Sequence, residues 1–330
     1  MEELSYRPPL PEPDFKLRTG RLIAAGVLLL LAGCFTGCIS GTMPLALLSS
    51  QLPPGQSRQL LGGLAMYGGL TVLLMWLGIG ILLPRRWARP LTLIIATHWL
   101  ILGVLTLVGM IVMLPMMRDL YSASATGPNI ANIILTVSLV MLLVTFILWP
   151  LALLLLLRGE AVRQTVEWKD TVTRWTDGCP MNVLGLVVTL VVVALLALVA
   201  AMQPALPILG VILKQPLPLI IGIALAAVLI YAAVLAHRLR MSGWWLGLWA
   251  VILPLLAYVP NAWLIPLGDF YAASGMQRQQ IEPFLKHESA MHALMAIFPL
   301  IFAVAWLIYM LRLRPTFIAA QDRSPSRPVA

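Results

Sequence analysis

The chain is short of charge. Only 11% of its 330 residues are Asp, Glu, Lys or Arg, where soluble domains carry about a quarter. With 60% hydrophobic residues and a mean hydropathy of +0.93, that shortage excludes a soluble globular protein and a disordered one. Three cysteines, Cys34, Cys38 and Cys179, are too few for a disulfide framework. The chain also has no glycine-rich phosphate loop, no nucleophile elbow and no metal motif of good spacing. No cofactor is therefore expected.

What is present is a series of eight apolar stretches, near 22–47, 61–83, 91–114, 133–157, 181–202, 217–236, 244–265 and 293–311. Each is long enough to cross a hydrocarbon core of about 30 Å as a helix. None alternates like an outer-membrane barrel strand, so backbone pairing in lipid requires helices. The expected fold is an all-α polytopic transmembrane bundle whose first partner is the lipid bilayer. It divides into an N-terminal arm (1–21), four spans (22–157), a polar connection (158–180), four more spans (181–311) and a tail (312–330). Pro8, Pro9, Pro11 and Pro13 mark an extended arm, and the Ser/Pro/Arg tail from Gln321 reads as disordered.

The 22 basic residues are distributed unevenly among alternate connections. Seventeen fall in the arm, the second, fourth and sixth connections and the tail; Arg58, Arg118, Lys214, Arg278 and Lys286 are the five on the other side. By the positive-inside rule both termini are cytoplasmic, in agreement with an even number of spans. The net charge of +9 is thus an orientation device facing anionic headgroups, and nucleic acid is not expected as a partner. Leu31-Ala32-Gly33-Cys34 has the form of a lipoprotein cleavage box, but about twenty mixed residues precede the apolar run, and the run continues past Cys34. An uncleaved span is the expectation.

Landmarks recur. Arg21 and Arg174, Pro54 and Pro207, and Arg85 and Arg238 are each 153 residues apart, which suggests two like four-helix halves with any central site at their interface. The segments Arg85-Arg86-Trp87-Ala88-Arg89 and Thr173-Arg174-Trp175-Thr176-Asp177-Gly178-Cys179-Pro180 resemble segments of uncharacterised polytopic bacterial inner-membrane proteins. The resemblance implies a bacterial plasma membrane and carries no activity.

Several groups of residues invite a functional reading. Gly33, Gly37 and Gly41 clear one stripe of span one for close packing, within the chain or with a partner or second copy through that span. His98, about 10 Å inside span three, and Asn261, after the breaks at Pro254 and Pro260, are candidate intramembrane polar sites. Met110, Met113, Met116 and Met117 cluster at the outer end of span three, as thioethers do in copper handling and as ordinary filler does too. Cys179 precedes span five, where a helix N-terminus favours a thiolate.

Between Arg158 and Pro180, the pairs Arg163/Glu167 and Asp170/Arg174 have i,i+4 spacing, and Trp168 and Trp175, seven apart, share one face. An amphipathic helix on the headgroups is expected there. Glu282, His287, Glu288 and His292 form the densest ionisable group on the outer side. His287 and His292 are one residue too far apart for a zincin pair, about 140° around a helix, so a shared metal requires span eight to begin after His287.

No Asp, Glu, Lys or Arg falls well inside a span, against the usual pattern of ion-coupled carriers. The leading functional expectation is a non-enzymatic membrane subunit or scaffold. A facilitator of a neutral solute entering near Pro254, Pro260 and Asn261 comes second, and a membrane enzyme with an outer-face site third. The charge asymmetry predicts the orientation directly. Single cysteines near Trp87, Trp168 and Met241 should resist an impermeant maleimide in intact cells, while those near Gln56, Ser124 and Gln277 should react; modification at position 168 would reverse the assignment.

Overall fold

The computed structural model describes residues 15–47, 56–123, 127–275, 281–282 and 285–322. Most of the proline-rich arm, the end of the tail, Pro54, Ser124, Gln277 and Arg278 lie outside the described residues. Among the described residues, eight apolar helices are long enough to span a membrane: Thr19–Leu45, Leu60–Leu82, Ala88–Arg118, Asn132–Leu157, Met181–Ala201, Leu217–His237, Met241–Leu264 and Glu288–Asp322. The described residues form an all-α bundle apart from one small hairpin. Span eight does not stop near 311: its helix continues to Asp322, with Leu313 and Phe317, a turn apart on one face, still buried in the packing.

Spans one and two pack along each other, and spans three and four do the same. Span four returns to span one. In the second half five packs on six, six on seven and seven on eight. One continuous core of buried Leu, Ile, Val, Ala and Trp runs through both halves.

Lipid tails are as apolar as leucine, so helices must be held by close approach and polar bonds. Gly26 and Gly78 provide the first of these between spans one and two. A Cβ on either would lie 3.2 Å from the other's carbonyl oxygen. Gly33 faces Met75 and Gly37 faces Thr71, whose hydroxyl bonds Thr36 at 3.0 Å. A Cβ on Gly41 would meet no other part of the described residues within 4 Å, its own helix turn aside. Spans five and six repeat the device at Gly222, where a Cβ would collide with that of Ala201. Spans seven and eight exchange indole bonds: Trp244 Nε1 donates to the Met310 carbonyl at 2.7 Å, and Trp306 Nε1 donates to that of Gly247 at 3.2 Å.

Span four contains a π-helical turn, Val144–Leu148. Pro150 has no N–H to return to Phe146, and Gly103 of span three brings its backbone directly against that Phe146 carbonyl. The proline frees an acceptor and the glycine covers it.

The connection at 158–180 departs from expectation. Its helix, Glu160–Lys169, is amphipathic, but its apolar face is covered by protein: Val162, Thr165 and Val166 are buried against the basic end of the first half. Hydrogen bonds fix it there. Arg18 N–H donates to Thr165 Oγ1 at 3.1 Å, Lys169 Nζ to Thr19 Oγ1 at 3.1 Å, and Arg86 N–H to the buried Asp170 carboxylate at 3.0 Å. Arg163 pairs with Glu167 at 3.3 Å. Asp170 does not pair with Arg174, because the helix has ended; for the same reason Trp175 leaves the face of Trp168 and packs on His237.

At the opposite end, Ala205–Ile208 and Val211–Lys214 form an antiparallel hairpin around Leu209 and Gly210, both with positive φ. The Ile208 and Val211 pair closes the two-residue turn, so Pro207 opposite Ile212 occupies a non-hydrogen-bonded position and loses nothing by lacking an N–H.

The glycine contacts give a direct test. Leu30 packs on Gly78, so Leu31, half-exposed to lipid, is the proper reference position. Gly37→Leu should cost about 1–3 kcal/mol by overpacking against Thr71, whereas Leu31→Ala should stay within about 0.5 kcal/mol. A detergent melting series that moves the two equally would place the stripe on the lipid face.

Candidate functional site

Two places gather the polar residues singled out from the sequence. The first is the seam between the halves. His98 of span three lies with Nδ1 2.7 Å from the Ile94 carbonyl, one turn back on its own helix. Its Nε2 lies 2.6 Å from the hydroxyl of Thr189 on span five. A carbonyl only accepts, so Nδ1 carries the hydrogen toward Ile94, while the single Thr189 hydroxyl proton is divided between Nε2 and the Gly185 carbonyl. Both nitrogens are used. The hydroxyl also lies 2.7 Å from the Gly185 carbonyl, and one turn away Tyr309 of span eight donates to the Asn182 carbonyl at 2.8 Å. Thr189 was invisible in the sequence because a threonine in an apolar run normally bonds its own helix.

The second place is the low-charge end, where span seven breaks after Tyr258 and resumes as Asn261–Leu264. The break frees the Ala257 carbonyl, which accepts from Leu209 N–H of the hairpin at 3.1 Å. Asn261 is 3% exposed and both ends of its amide are engaged. Its Oδ1 accepts from Gly210 N–H at 2.7 Å, and its Nδ2 donates to the Pro207 carbonyl at 2.8 Å. Asn261 thus clamps the hairpin, and neither end of its amide is left for a solute.

The ionisable outer group does not assemble. The helix of span eight does begin after His287, as a shared metal would require. Even so, among the described residues no three His, Cys, Asp or Glu side chains converge. Glu288 accepts from Leu267 N–H at 3.2 Å and stands 3.7 Å from His292 Nε2, an ion-pair distance without a hydrogen bond. The Glu282 carbonyl accepts from the Lys286 N–H at 3.3 Å, a bond within the loop itself.

His287 points elsewhere, to span three. It lines a cavity of about 160 Å3 with Met113, Met116 and Met291. Met116 and Met291 are buried, and Met295 packs against them. Met110 and Met117 do not line the cavity. Met291 went unnoticed in the sequence because nothing local shows that spans three and eight touch there. At the basic end, Cys179 is buried, and loss of solvent pushes its thiol up rather than favouring the thiolate.

No protein-family model, curated protein or solved structure matches the chain.

The seam predicts a measurable coupling. In a double-mutant cycle of His98→Ala and Thr189→Val, followed by denaturation in detergent, the interaction term should be about 0.6–1.7 kcal/mol. Additive losses would mean that the 2.6 Å contact holds nothing together.

Proposed function

We propose that the chain is a non-enzymatic subunit or scaffold of a bacterial inner membrane, with both termini cytoplasmic. The seventeen-to-five distribution of basic residues supports the orientation, and the two Arg/Trp segments support the compartment. One observation carries the scaffold reading: the intramembrane polar groups that would serve a solute are spent on the fold. Both nitrogens of His98 and both ends of the Asn261 amide engage the protein itself. A carrier would keep such groups for its cargo.

The partner is another membrane protein, and its surface is spans three and four rather than the glycine stripe of span one. Gly33 and Gly37 are already covered by Met75 and Thr71. Spans three and four have only 11% of their most apolar stretch buried, against 28–39% in the other six. They present the widest free helical faces.

A photocrosslinking residue at Val108 or Val137, both exposed on these spans, tests the reading in native membranes. The expected result is one discrete protein adduct from both positions and none from Ile230, equally exposed on span six. Adducts with lipid alone at Val108 and Val137 would overturn it.

A further inference from the structure

We propose that Met113, Met116, His287 and Met291 form a binding site for a soft monovalent cation, Cu(I) or its redox-inert analogue Ag(I), independently of the scaffold reading. The four side chains line one cavity although they come from two spans some 170 residues apart in sequence. Met113 and Met116 are three apart on the helix of span three, and His287 and Met291 are four apart where span eight begins. The first spacing places two side chains on a common helix face, and His287, just before the first turn of span eight, accepts at its carbonyl from Met291 N–H at 3.1 Å.

The donor set selects the ion. Thioethers are neutral and polarizable and bind copper(I) well, whereas magnesium and calcium require oxygen ligands. Zinc takes thiolates, imidazoles and carboxylates, and this cavity offers one imidazole and no anion. A neutral ligand set also leaves a monovalent ion with a single positive charge in a poorly solvated wall, where a divalent ion would leave two. The rest of the lining is apolar, with Val112 and Leu294 among it, so no side-chain oxygen competes. A volume of about 160 Å3 holds a cation and its ligating atoms with room for a water or two.

Methionine also fills cores, so the experiment must separate ligation from packing. The purified full chain in mild detergent is titrated with Ag(I), and with Cu(I) held reduced by ascorbate against a Cu(I) chelator. The wild type should bind about one ion per chain more than the triple variant Met113→Leu, Met116→Leu, Met291→Leu, and His287→Ala should weaken binding by about tenfold. Excess Zn(II) should not displace the ion. Equal binding by wild type and triple variant, or displacement by zinc, would overturn the site.

A second measurement needs no variant. Peroxide oxidation of the wild type, read residue by residue by mass spectrometry, should be slowed by Ag(I) at Met113, Met116 and Met291 and left unchanged at Met110 and Met117. Uniform protection, or none, would equally end the proposal.

Discussion

Inside a bilayer core each backbone group must be paired within the protein, and once helices have done this nothing hydrophobic remains to drive one helix onto another. The architecture follows from that constraint. Where two backbones touch, glycine stands at the contact: Gly26 on Gly78, Gly103 on the Phe146 carbonyl, Gly222 on Ala201. Between spans seven and eight, the indole donors of Trp244 and Trp306 go to the neighbouring helix. These polar side chains are fasteners. So are His98 and Asn261, which look like functional residues in an apolar sequence: both nitrogens of the one and both ends of the other's amide have protein partners.

The two tight basic turns show how the same constraint is met twice. Arg85 N–H donates to the Gly80 carbonyl and Ala88 N–H to that of Arg85; Arg240 N–H donates to the Leu235 carbonyl and Gly243 N–H to that of Arg240. Equivalent positions lie 155 residues apart, so Arg85 corresponds to Arg240, not to Arg238 as the arginine spacing alone suggests. The close contact within each turn is solved in opposite ways. In the first, Gly80 yields to Ala88 and Trp87; in the second, Gly243 yields to the backbone of Leu235. One small residue is needed per contact, and either helix can supply it. A two-residue slip in register is easily missed when arginines at loop edges are the only landmarks.

Hydropathy made the eight spans legible to within a few residues at most ends, because burial in lipid demands the same composition along a whole helix. Elements outside the hydrocarbon were harder to read. The hairpin at 205–214 uses Leu209-Gly210 where Asn-Gly is the usual signal, and Pro207 argues against a strand unless its pairing position is known. The helix Glu160–Lys169 showed its amphipathicity in the sequence, yet only packing reveals that the apolar face covers protein rather than headgroups. The cavity beside Met113 depends on a contact between spans three and eight, which no local pattern encodes.

Span three is fastened to the second half near both of its ends. In one leaflet His98 ties it to span five; toward the other, Gly109 lies under Phe298 and Met116 under Met291 of span eight. The helix thus bridges the halves at two depths while few residues of its most apolar stretch are buried. The two fastenings differ in kind. His98 and Thr189 form a directed bond of fixed geometry, whereas the methionines make an adaptable, non-directional contact around a void. A contact of the second kind gains strength from whatever fills the void, since a ligand held by both spans stabilises their docked arrangement by mass action. The end of span three with the softest packing is therefore the end at which a bound ion has the most leverage over how the two halves sit together.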